Sequence, residues 1–103
     1  MEEKLIGKKV IIRASRAGVF FGTLKEKKAT PAGVEVVLKN SRRLWYWSGA
    51  ASLSQMATEG VKRPNDCKFT VTVPEHNVMQ VIEIIPCSEE AIKSIEGVDV
   101  WKL

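Results

Sequence analysis

The stretch whose side chains are best suited to binding chemistry is residues 42–47, in which two arginines precede a run of aromatic side chains. Indole rings can stack on nucleic-acid bases, and guanidinium groups pair with phosphates. If the segment is a β-strand, alternate side chains share a face, so Arg43, Trp45 and Trp47 would lie together. The pattern is typical of either a core seam or a flat binding surface, and both interpretations remain open.

The predicted hairpin that precedes this stretch carries further basic and aromatic side chains, which we expect to extend the same surface. A surface of this composition suits a ligand that has both rings and negative charge, and it does not distinguish a nucleotide from a single strand. The candidate ligand-binding residues are Arg13, Arg16, Phe20, Arg42, Arg43, Trp45 and Trp47.

Catalytic and metal chemistry find little support in the sequence. The single histidine, His76, lies in a predicted surface turn, and Cys67 and Cys87 fall at predicted strand ends, where small apolar side chains are common. A structural zinc site usually needs about four cysteine or histidine ligands. We therefore expect no catalytic residue, no metal and no cofactor, and we expect both cysteines to be free thiols in a reducing compartment.

The positions of hydrophobic residues and turn residues predict short strands and two helices. Gly22 inside a strand indicates a bend of the kind that curls a small sheet. Ser52 and Gln55 are spaced as a capping box for a helix that ends at Gly60, and Ser88 is placed to cap a C-terminal helix that runs to Ile95. Strands are predicted over residues 9–14, 19–24, 34–38, 42–47, 67–73 and 78–85, with turns or bulges at residues 15–18, 39–41 and 74–77.

This order of elements predicts an α+β fold that is mainly β. With 103 residues the chain is expected to form one domain, residues 1–103. We expect a small curled antiparallel sheet or an SH3-like barrel, with one short inserted helix and a C-terminal helix. The order of the strands resembles that of SH3-like and Sm-like small barrels, a resemblance that concerns the fold and not the function.

A closer resemblance involves four motifs: residues 17–24 (AGVFFGTL), 42–47 (RRLWYW), 52–55 (SLSQ) and 82–87 (IEIIPC). Together they are similar to an uncharacterised family of small proteins from tailed phages and prophages. The resemblance implies a phage or prophage origin, and hence the cytoplasm of a host bacterium as the location. It implies no activity and no site residues.

The net charge of +4 is a mild excess, which favours anionic partners where the basic residues cluster. The leading hypothesis is a non-catalytic binding protein that sequesters a nucleotide-like host defence signal, such as a cyclic nucleotide or an ADP-ribose-type molecule. The alternatives are a small-barrel protein that binds single-stranded nucleic acid and an inhibitor that binds a host defence protein. We expect no membrane association, and a homo-oligomer because the strand edges of small barrels readily pair.

Overall fold

The computed structural model describes residues 4–103, which form a curled antiparallel sheet with two short helices. The prediction of a mainly β fold with one inserted helix and one C-terminal helix is therefore confirmed. The elements in chain order are β1 (Lys9–Ala14), β2 (Gly18–Thr30), β3 (Gly33–Tyr46), α1 (Leu53–Glu59), a 3-10 turn (Pro64–Asp66), β4 (Lys68–Phe69), β5 (Val73–Pro86) and α2 (Glu89–Glu96).

The pairing of the four long strands closes the sheet into a ring. Strand β1 pairs with β2 and β5, and β3 pairs with the same two strands, so each of the four has a neighbour on both sides. The short strand β4 adds to the end of β3, and Val100 forms a parallel bridge with Phe69 of β4. We predicted a homo-oligomer because the strand edges of small barrels readily pair. Closure of the ring leaves few exposed strand edges, and the oligomer stays a prediction.

Alternation along the strands divides the buried residues between two cores. On β1, Val10 and Ile12 point into the ring, where they join Phe20 and other apolar side chains in the barrel core. Ile11 points to the opposite face, where it packs in a helix-side core that includes Phe69 and residues of both helices. The sheet is thus buried on both faces over this region, and the helices cover one of them.

Two segments that the sequence predicted as turns or bulges between strands lie within strands in the structure. The bulge predicted at residues 39–41 is present, with Asn40 at a φ of 53°, and strand β3 continues through it. The turn predicted at residues 74–77 is wrong, because these residues belong to β5. Pro74 is tolerated there because it follows the first residue of the strand, Val73, where few ladder hydrogen bonds are lost.

Both helices begin as their capping residues predict. The Ser52 hydroxyl accepts a hydrogen bond from Gln55 N at 3.1 Å, and the Gln55 side chain accepts one from Ala51 N at 2.7 Å. The Ser88 hydroxyl likewise accepts from Ala91 N at 3.0 Å. Loss of either cap would remove the side-chain partner of a backbone N–H at the start of the helix. Within residues 4–103, no helix has the length and apolar character needed to cross a membrane.

Candidate binding site

A bulge at the end of β3 decides where the aromatic side chains point. Leu44 pairs with Phe69 while Tyr46 pairs with Lys68, so β3 has one residue more than β4 over this step, and that residue is Trp45. A bulge of this kind reverses the alternation of the residues that follow it. The prediction that Trp45 and Trp47 share a face is therefore wrong.

The two tryptophans end in different surroundings. Trp47 turns inward and packs against the helix-side core, whereas Trp45 remains 58% exposed. Trp45 lies against Trp101 from the C-terminal segment, with ring centroids 5.2 Å apart and ring planes 24° apart. Lys68 Nζ lies 5.3 Å from the Trp45 centroid and 5.4 Å from that of Trp101. We call the surface formed by Trp45, Tyr46, Lys68 and Trp101 the indole surface.

Arg42 holds the strand and the C-terminal segment that present this surface. Its guanidinium donates hydrogen bonds to four backbone carbonyl oxygens, those of Phe69 (3.1 Å), Thr70 (3.0 Å), Ile95 (3.1 Å) and Asp99 (3.4 Å). Trp101 N donates to the same Phe69 oxygen at 2.8 Å. These bonds tie β4 to the chain that follows α2, so they fix the place of Trp101 beside Trp45.

The surroundings of Arg42 are those of an interior side chain. The residue is 6% exposed, and its guanidinium lies 5.6 Å from the centroid of the Phe69 ring. Burial lowers the pKa of Arg42 from its ordinary value, and the negative charge of Asp99 partly opposes this effect. With its donors directed at backbone carbonyls, Arg42 lies inside the fold, and we assign it a positioning role where the sequence suggested contact with a ligand.

A cavity of about 550 Å³ adjoins the indole surface. Two backbone segments that each contribute a lining residue, Ser48 and Arg63, approach closely beside it: Gly49 has a φ of +88°, and a Cβ atom at that position would lie 2.5 Å from Lys62 N. Only glycine allows this approach. The cavity is lined by three residues of the indole surface, one cysteine and four further polar residues: Tyr46, Lys68 and Trp101, then Cys67, then Ser48, Arg63, Asn65 and Asp66.

The second cation of the pair, Arg43, has its side chain directed at the barrel core and not at the indole surface. Its guanidinium is 4.6 Å from the centroid of Phe20 and donates a hydrogen bond to the Ala17 carbonyl. Phe20 is fully buried, so its ring faces are not available for stacking. The edge of the His76 ring meets Phe20 at a centroid distance of 5.0 Å, and His76 Nδ1 lies 3.2 Å from Ser41 Oγ.

We call the region formed by Arg16, Phe20, Arg43 and His76 the barrel end. Burial, and to a smaller degree the positive charge of Arg43, lowers the pKa of His76. A cavity of about 410 Å³ opens here, with Arg16, Phe20 and His76 in its lining. Its walls are otherwise apolar side chains and uncharged polar ones, apart from Glu35.

The predicted site residues therefore do not form one surface. Arg16, Phe20 and Arg43 lie at the barrel end, and Arg13 forms an ion pair with Glu83 at 3.0 Å across β1 and β5. Arg42 and Trp47 face the helix-side core. Trp45 alone belongs to the indole surface.

Of the indole surface and its cavity, the sequence reasoning proposed only Trp45 as a site residue. It missed Tyr46, Lys68 and Trp101 of the surface and the other cavity residues, Arg63 and Asp66 among them. The available signal was the alternation of apolar and polar residues at Val98, Asp99 and Val100. This pattern indicates an extended segment that packs against the rest of the domain. Nothing in that pattern identifies the strand on which the segment docks.

The cysteines provide little nucleophilic chemistry. Both are free thiols, as predicted. Burial raises the pKa of the Cys87 thiol to about 12, so this residue is protonated at neutral pH and a poor nucleophile. Cys67 is buried, with its sulfur 3.4 Å from both Ser48 N and the Arg63 carbonyl. Among the residues that the structure describes, no three histidine, cysteine, aspartate or glutamate side chains come together to hold a metal ion.

Residues 7–95 match the model of a protein family described as a domain of unknown function, DUF6948. The chain belongs to this family. No curated protein and no solved structure matches it. The DUF6948 match includes Trp45, Arg63 and Lys68 and ends before Trp101. Its description states neither an activity nor a phage origin.

Proposed function

We propose that this DUF6948 protein is a non-catalytic binding protein whose indole surface stacks on the bases of single-stranded nucleic acid. The observation that carries the proposal is the exposed pair of indole rings with the Lys68 ammonium beside both. Trp45 is 58% exposed and Trp101 is 44% exposed, although tryptophan is one of the most costly side chains to leave in water.

The chemistry of this surface matches a strand of bases and phosphates. Each base stacked on an aromatic ring contributes roughly 1–3 kcal/mol to binding, whatever its sequence. Lys68 and Arg63 supply positive charge next to the rings, and neither forms an ion pair with a carboxylate among residues 4–103. The three rings of the surface, those of Trp45, Tyr46 and Trp101, are each about half exposed, which suits a polymer that continues past the site.

The second candidate is the nucleotide-like host defence signal that the sequence suggested, bound by a phage-type inhibitor in the host cytoplasm. The cavity of about 550 Å³ beside Trp101 supports it, because small-molecule sites commonly measure about 300–1,000 Å³. A compact ligand of this kind would place its base on Trp101 and its phosphates near Arg63.

Binding of fluorescein-labelled oligonucleotides of about ten residues, measured by anisotropy, tests the lead proposal. We expect Trp101→Ala and Trp45→Ala each to weaken binding about tenfold, because each removes a stacking ring. The matched control is Arg16→Ala, which removes a cation at the barrel end and should leave the affinity almost unchanged. Two phosphate contacts would make log K fall with log salt concentration with a slope of about −1.4.

Other results would decide against the lead proposal. If cyclic dinucleotides or ADP-ribose raise the melting temperature while oligonucleotides do not bind, the second candidate is correct. If neither class binds, the indole pair is better interpreted as an interface anchor for a host protein, since tryptophan and arginine dominate such interfaces.

A further inference from the structure

The cavity beside the indole surface has a wall with unused hydrogen-bonding groups. Asn65 and Asp66 of the 3-10 turn Pro64–Asp66 line this wall, and the turn's backbone is held by hydrogen bonds from Asp66 N to Arg63 O at 3.0 Å and from Cys67 N to Pro64 O at 3.2 Å. Asn65 and Asp66 are solvent-exposed, and within residues 4–103 their side chains form no hydrogen bond or ion pair. A fixed turn thus holds a carboxylate and an amide that face no protein partner.

The carboxylate is the more selective of the two groups. An ionised carboxylate only accepts hydrogen bonds, through two oxygens, whereas the amide of Asn65 both donates and accepts. Among the bases, guanine alone presents two adjacent N–H donors on its Watson–Crick edge, at N1 and N2. Proteins that bind single strands read this edge once the base is unstacked. A carboxylate and a guanine edge can therefore form two parallel hydrogen bonds.

The neighbours of Asp66 supply the other contacts that such a base would need. Trp101 lines the same cavity; one of its faces packs on Trp45, so a base would stack on the other. Arg63 and Lys68 line the cavity with positive charge for the flanking phosphates. A base without paired donors leaves the carboxylate unsatisfied next to a polyanion, which costs binding free energy. The same group thus favours one base and disfavours the others.

We infer that Asp66 makes the site selective for guanine in single-stranded nucleic acid. This inference rests on the proposed function and adds a base specificity to it. The two-donor edge of guanine would bind the Asp66 carboxylate, its ring would stack on Trp101, and its flanking phosphates would lie at Arg63 and Lys68.

The test uses labelled oligothymidylates of about ten residues whose single central base is guanine, hypoxanthine, adenine or cytosine. A single guanine avoids the assembly of guanine quartets. We expect the guanine strand to bind about tenfold more tightly than the adenine strand, with hypoxanthine between them because it lacks the N2 amino group. Asp66→Asn should abolish this ranking and leave the adenine strand bound as tightly as before or more tightly.

A control and three outcomes make the result decisive. Glu90→Gln, on helix α2, removes the same charge away from the cavity and should keep the ranking. Equal affinity for all four strands, or a ranking that persists in Asp66→Asn, would overturn the inference and leave the proposed function intact. Failure of every strand to bind would overturn the proposed function as well. A melting curve for each variant establishes that it is folded.

Discussion

The barrel end and the indole surface are built from the same chemistry, a cation beside an aromatic ring, and differ in what surrounds it. At the barrel end, Arg43 lies on a fully buried Phe20 and donates to a backbone carbonyl, so both partners are used within the fold. At the indole surface, Lys68 lies beside two rings that remain about half exposed. The comparison teaches that basic and aromatic neighbours indicate a site only where the ring faces reach solvent.

The largest expected effect is a difference in protein stability between variants of the two adjacent arginines, Arg42 and Arg43. Arg42→Ala should lower the free energy of unfolding by about 3 kcal/mol, because it removes the hydrogen bonds that four buried or half-buried carbonyl oxygens accept from the guanidinium. Arg43→Ala loses a cation–aromatic contact and one hydrogen bond, and should cost about 1 kcal/mol. Urea denaturation of both variants measures the difference.

Arg42→Lys sharpens the same test. Lysine keeps the charge and loses the planar fork that reaches several carbonyls at once, so most of the destabilisation should remain. If Arg42→Lys is as stable as the parent protein, or if the two alanine variants lose equal stability, the assignment of Arg42 as a positioning residue is wrong.

A smaller difference in stability is expected between Trp45, on β3, and Trp47, which follows the end of that strand. Trp47→Ala removes a ring that packs against the helix-side core and should lower the free energy of unfolding by about 2 kcal/mol. Trp45→Ala removes an exposed ring and should cost less than about 1 kcal/mol. Near-ultraviolet circular dichroism adds an independent measurement, since Trp45→Ala should abolish the signal of the stacked indole pair. A larger loss of stability in Trp45→Ala would place Trp45 in the core.

Local patterns predicted the parts of the fold that depend on neighbours in sequence. The bounds of β1, the capping of both helices and the bulge near Asn40 follow from β-branched runs, hydroxyl caps and turn residues. The turn predicted at residues 74–77 failed because Pro74 was interpreted as a break, although a strand tolerates proline near its first residue.

The candidate site was harder to predict because it depends on contacts between distant residues. The bulge at Trp45 exists only relative to the shorter β4, and it reverses the alternation on which the shared face of Trp45 and Trp47 was based. The carbonyl oxygens that accept hydrogen bonds from Arg42 belong to residues between 69 and 99, which are distant from it in sequence. The same bonds hold the C-terminal segment so that Trp101 lies beside Trp45. No spacing within residues 42–47 carries that information.

The smallest expected effect concerns His76 and probes how closed the barrel end is. Its pKa is lowered in the folded protein, from an ordinary value of 6.5, by burial and by Arg43. As the pH falls below that value, the unfolded chain takes up the proton more readily than the folded one, so stability falls until the pH passes the lowered pKa. The urea midpoint should therefore be lower at about pH 5.5 than at about pH 7.5.

His76→Gln isolates this contribution, because His76 is the only histidine of the sequence and glutamine does not titrate. The urea midpoint of that variant should differ less between the two pH values than the urea midpoint of the parent protein. Arg43→Ala should reduce the pH dependence partially, since it removes the smaller of the two causes. A parent midpoint that rises on acidification would mean that the protonated imidazole is stabilised in the fold, and the barrel end would then be a polar, solvent-reached region like the indole surface.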